Sequence, residues 1–89
     1  MKKKEINGWI VCENRKVFTR KVFPTITEAK SHCINDFTYE EKHAYINDGS
    51  IIHVVDGYIV SEINIWTSGD EVYFSDVHIT NNQIKYLEL

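Results

Sequence analysis

The sequence predicts an α+β fold: a single antiparallel β-sheet with one or two short helices packed on one face, in the order β-β-α-α-β-β-β-β. Three observations carry this expectation. An Asp56-Gly57 pair separates two β-branched runs, the strongest hairpin signal in the chain. Apolar residues at Ile26, Ala29, Cys33 and Phe37 recur at three- and four-residue steps, as on one face of a helix. Runs of β-formers flank that helical segment on both sides, which suits helices laid on one sheet face.

The elements follow in order. Trp9–Cys12 reads as a short strand, Glu13–Lys16 as a polar turn, and Val17–Phe23 as the returning strand of a hairpin. Pro24 ends that strand. Thr25 and Glu28 then match a capping box and open the first helix. A second box, Thr38 to Glu41, opens a shorter helix whose inner stripe is expected at Tyr39, His43 and Ile46. Gly49 is the expected stop, because glycine tolerates a left-handed helix end. Ile51–Val55 and Tyr58–Trp66 are the strands around Asp56-Gly57, with Ile59, Ser61, Ile63 and Ile65 expected on one face. Thr67–Asp70 turns the chain into a strand over Val72–Ile79. Its apolar phase slips near Asp76, which predicts a bulge there. Asn81-Asn82 is expected to turn the chain into a last strand from Ile84 to Leu89.

The chain has 89 residues, a length that predicts one domain spanning 1–89. At 43% hydrophobic and 12% aromatic it has the composition of a folded protein. No stretch approaches the ~18 apolar residues that span a bilayer. The basic opening Met1–Glu5 leads into no apolar run, so neither a membrane nor a secretory signal is expected. On that basis Cys12 and Cys33 read as reduced thiols and the location as cytoplasmic. The net charge of −3 hides an asymmetry. Residues 1–21 hold seven cations against two carboxylates, a net +5; residues 22–89 hold three lysines against eleven carboxylates, a net −8.

No residue pattern here assembles catalytic chemistry. His32, Cys33, His43, His53, His78 and Cys12 lack the tight paired spacing of a zinc site, so no metal is expected. Cys33 lies on the apolar helix stripe and Cys12 in a strand, where cysteine behaves as a small hydrophobe. The four glycines are scattered over separate turns, so no phosphate loop forms. Most carboxylates fall in turns or first helical turns, where capping accounts for them. The chain is therefore expected to be no enzyme and to need no cofactor.

Binding surfaces are the better candidates. Tyr58, Glu62 and Trp66 should face away from the helices if Ile59, Ile63 and Ile65 face them, and Tyr73 extends this aromatic stripe. Aromatics concentrate at the centres of protein interfaces, so a larger protein or nucleoprotein complex is the expected partner, with a homodimer possible. The plainer reading is an ordinary amphipathic sheet. An acidic surface built from Glu40, Glu41, Asp48, Asp70, Glu71 and Asp76 could instead compete for a nucleic-acid site on a partner, provided at least four share one lysine-free face. The alternative class is direct nucleic-acid binding through Arg15, Lys16, Arg20 and Lys21, with Trp9, Phe18 and Phe23 interleaved. Edge-strand cations that guard against aggregation are its plainer explanation. Sequestration of a small ligand or nucleotide by an oligomer needs no motif and stays open.

Ile, Lys, Asn, Tyr and Phe are abundant, while Ala and Leu are scarce. With the segments Phe23–Ala29 and Thr38–Lys42, this short acidic chain is similar to small phage and mobile-element proteins of low-GC bacteria. The resemblance implies stoichiometric inhibition of a host or defence protein in the host cytoplasm, for example an anti-CRISPR-like action, and assigns no residue.

Overall fold

The computed structural model of the protein describes residues 6–13 and 21–85, the last five through their backbone. Strands β1 (Gly8–Cys12) and β2 (Val22–Phe23) precede helix α1 (Ile26–Asn35). Helix α2 (Tyr39–Glu41) continues as a π-helical turn over Lys42–Ile46. Strands β3 (Ser50–Val55), β4 (Tyr58–Ser68), β5 (Glu71–Phe74) and β6 (His78–Lys85) complete the order. All form one antiparallel sheet in the order β2-β1-β3-β4-β5, with β6 paired to β4 as well. The α+β expectation and its element order hold.

The eleven residues of β4 hold both later strands on the same side. β5 pairs with Ile65–Ser68, and β6 with Tyr58–Glu62. The break at 75–77 is the expected bulge near Asp76: one extra residue enters between the Ile65↔Phe74 and Glu62↔His78 pairs. Asn64 and Ser75 bridge the break, Ser75 N donating to Asn64 O and Asn64 N to Ser75 Oγ, both at 2.9 Å. Asn81-Asn82 does not reverse the chain. Three extra residues between Ile79 and Ile84 are absorbed inside β6, which stays on β4.

Asp56 and Gly57 both take positive φ, 51° and 84°, so the expected hairpin turn forms. Thr38 completes its capping box: its N–H donates to Glu41 Oε1 at 2.8 Å and Glu41 N donates to Thr38 Oγ1 at 3.2 Å. Thr25 caps α1 through Glu28 N.

The second helical segment departs from expectation. Asn47 N donates to Lys42 O, one residue wider than an α-turn. The wider turn shifts the inner stripe to Lys42 and Ile46 and leaves Tyr39 and His43 exposed. Asp48, not Gly49, holds the left-handed conformation at φ 68°. Gly49 is needed for space: a Cβ there would lie 2.6 Å from Cys12 O and 3.0 Å from Ile46 O.

Val11, Phe23, Ile51, Ile63 and Ile65 pack against Ala29, Cys33 and Ile46 to make the main core beneath the helices. Alternation puts Ile10, Cys12, Ile52 and Val54 on the other sheet face, where they form a second buried cluster with Ile6 and Ile59 against it. Ile59 was expected with Ile63 and Ile65. A bulge between Ile59 and Ser61 reverses its phase, so that it pairs with Val54 and joins the second cluster.

Candidate functional site

The sheet face turned away from the helices is built in rows across the strands. Ile10, Ile52, Glu62 and His78 make one row, and Cys12, Ser50 and Asn64 the next. Ser50 opposite Asn64 is the last β3–β4 pair. Beyond it β4 continues with β5 as a two-stranded ribbon, and its rows are Trp66–Tyr73 and Ser68–Glu71. The buried apolar cluster therefore occupies one end of this face and the aromatic ribbon the other.

Trp66 and Tyr73 stand directly opposite each other. Their rings stack with centroids 5.8 Å apart and planes 17° from parallel. They remain 45% and 44% exposed, so each ring shields the other only in part. Stacked aromatic pairs across strands help to hold a register. The reverse side of the ribbon is firmly held. Ile65 is buried, and Val72 and Phe74 pack on the main core. Asp48 N donates to Ile65 O and Ile65 N to Gly49 O, both at 2.9 Å, while Thr67 N donates to Asn47 Oδ1.

The ribbon's tip is pinned from the helix side by the π-turn. Lys42 is 7% exposed, and its Nζ donates to Asp70 Oδ1 at 3.2 Å and to Asp70 O at 3.4 Å. The next residue, His43, donates from Nε2 to Gly69 O at 3.0 Å. Consecutive residues of one turn thus clamp consecutive residues of another.

Of the expected aromatic stripe, Glu62, Trp66 and Tyr73 share the open face. Tyr58 does not: the bulge before Ser61 sets it opposite Val55, in phase with Ile51 on the helix side. Glu71 shares the face of Tyr73, two residues along β5. The acidic residues are divided between the helix side and the open face. Glu41 is committed to the capping box and adjoins Glu40 on α2, and Asp70 is bonded to Lys42. Glu71 lies on the opposite side of the sheet. Glu71 thus stands apart from Glu40, Glu41 and Asp70. In the basic hairpin, Arg15, Lys16 and Arg20 lie outside the described residues. Lys21 is exposed, with its Nζ 5.1 Å from the centre of the Phe23 ring.

Burial pushes both thiols up to about 12. A hydrogen bond with Ser50 opposes this weakly at Cys12, and Glu62 adds to it. A thiol held protonated is a poor nucleophile and metal ligand. Among the described residues, no three His, Cys, Asp or Glu side chains gather as metal ligands. No helix among them is long and apolar enough to cross a membrane. The role of Lys42 was not visible in the sequence, since a π-turn leaves no spacing signature distinct from a short helix. No family model, curated protein or solved structure matches this chain.

Proposed function

We propose that the protein is a non-catalytic binding module that docks a larger protein, or a nucleoprotein complex, through the open face of the β4–β5 ribbon. The observation that carries this reading is the Trp66–Tyr73 stack: two large rings, each nearly half open, on a ribbon fixed from behind. Tryptophan and tyrosine dominate the energetics of protein interfaces because a rigid ring buries much area for little lost entropy. Pinning by Lys42 and His43 removes the cost of ordering the ribbon on binding. Activity by simple occupancy follows, and inhibition of a host or defence protein, such as a CRISPR effector, is the form suggested by the resemblance to small phage proteins.

Site-directed photo-crosslinking tests the reading. A benzoylphenylalanine at Ser68, on the open face beside Trp66, should give a discrete protein adduct in the cell. The same group at exposed Ser31 on α1 should not. Trp66→Ala should abolish the Ser68 adduct. Adducts that are equal at both sites, or indifferent to Trp66→Ala, would refute docking through this face.

A further inference from the structure

We infer that the surface this face takes is cationic and arginine-bearing, with a guanidinium laid on the Trp66–Tyr73 pair and directed at Glu71, and with Glu62 adding to the negative charge of the face. The inference rests on the docking reading above and names its chemistry.

The charge of the face points this way. Its described residues include Glu62 and Glu71 and no lysine or arginine. Neither carboxylate has a cation partner among the described residues. The described lysines are placed elsewhere. Lys42 is bonded to Asp70, and Lys30 and Lys21 lie over the rings of Phe74 and Phe23, which belong to the core beneath the helices. Lys85 stands opposite Tyr58, remote from the ribbon along β4. Among the described residues, the open face thus carries negative charge with no lysine or arginine beside its most exposed rings.

The aromatic geometry supplies the second half. An indole face is the best aromatic platform for a cation. Glu71 is the diagonal cross-strand neighbour of Trp66, a spacing of roughly 7–8 Å. One planar side chain can therefore stack on the ring and offer its N–H edge to the carboxylate. Arginine fits this demand better than lysine, because its guanidinium is flat and carries a fork of donors.

The other occupants fit less well. Nucleic-acid bases would stack on the rings, but Glu62 and Glu71 would repel the phosphates that supply most of such affinity. A second copy related by a two-fold axis would bring this acidic face against itself.

The test titrates the isotope-labelled full chain with a peptide of alternating arginine and glycine at low salt. The indole N–H resonances of Trp66 and Trp9 are followed, the second serving as the internal control. The Trp66 signal should shift and saturate while that of Trp9 stays in place. Glu71→Gln should weaken binding roughly two- to fivefold, as expected for an exposed ion pair, and Glu62→Gln should weaken it less. Trp66→Phe, which keeps a ring, should weaken it less than Trp66→Ala. A lysine–glycine peptide should bind more weakly, and added salt should weaken both. The inference is overturned if a glutamate–glycine peptide or a single-stranded oligonucleotide shifts Trp66 as strongly. It is also overturned by no shift at millimolar peptide, or by a Trp66 shift that follows protein concentration alone. Its failure is separable from that of the docking reading. A Trp66-dependent adduct at Ser68 that ignores Glu62→Gln and Glu71→Gln would keep the module and remove the arginine.

Discussion

The clamp between Lys42 and Asp70 makes an asymmetric demand on stability. The side chain of Lys42 is 9% exposed and that of Asp70 75%, so the partners lose very different environments when either is removed. At 3.2 Å and an effective dielectric near 20, the gross attraction is ~5 kcal/mol, but solvent around Asp70 screens most of it. Asp70→Ala leaves a buried ammonium with one long bond to a carbonyl oxygen, and is expected to cost about 2 kcal/mol. For a chain of this size that lowers the Tm by roughly 10 °C. Lys42→Met removes the ammonium while keeping most of the volume, and releases only a carboxylate already in water. It is expected to cost less than about 0.5 kcal/mol. The double variant should resemble Lys42→Met, since without the ammonium the loss of Asp70 matters little. Urea denaturation with an unchanged slope is the assay. If Lys42→Met costs as much as Asp70→Ala, the reasoning from burial fails.

Three further outcomes follow from the packing. Gly49→Ala should destabilise the fold by more than about 2 kcal/mol in urea, because the added methyl meets backbone oxygens of Cys12 and Ile46 that no rotamer can move. Both thiols have folded values raised from 9.0 to about 12, so the folded state holds more protons between them; the resulting stability is complete below pH 9 and lost as pH rises toward 12. A thiol reagent at pH 8 should accordingly label Cys12 and Cys33 only on unfolding. Burial lowers the value of His53 below 6.5, so its contribution is present above pH 6.5 and lost as pH falls; His53→Phe should flatten the acid limb of the melting profile while keeping the stack on Trp9.

The sequence made the local elements legible wherever short-range chemistry decides them. The capping boxes at Thr25 and Thr38, the Asp56-Gly57 turn and the alternation of Ile63 and Ile65 each depend on neighbours a few residues away. What it hid were insertions that change phase. The bulge before Ser61 moved Tyr58 and Ile59 to faces opposite those that strict alternation implies. The π-turn moved the buried positions from Tyr39 and His43 to Lys42, a residue whose charge argues for exposure until Asp70 is placed beside it. At Gly49 the correct residue was singled out for the wrong reason: it is wanted for its missing side chain, while Asp48 bears the left-handed backbone. Trp66, Tyr73 and Glu62 were grouped correctly because no insertion lies between Glu62 and Trp66.

The aromatic pair sets a lower bound on how far a partner must spread. Covering the open halves of both rings removes about 200 Å² from water, worth roughly 5 kcal/mol at ~25 cal/mol/Å². Association alone costs an estimated 4–15 kcal/mol, so the pair cannot hold a folded partner by itself. A standard interface takes about 800 Å² from each side. The surface that supplies the remainder must adjoin the ribbon, and the rows Asn64 and Glu62–His78 continue its face without a step. Toward β1 and β3 the same face is already buried, which leaves β4 with β5 and β6 as the track along which contact can grow. A partner seated there would cross Glu62 and Glu71 on either side of the rings, so the charges that select it would border the contacts that hold it.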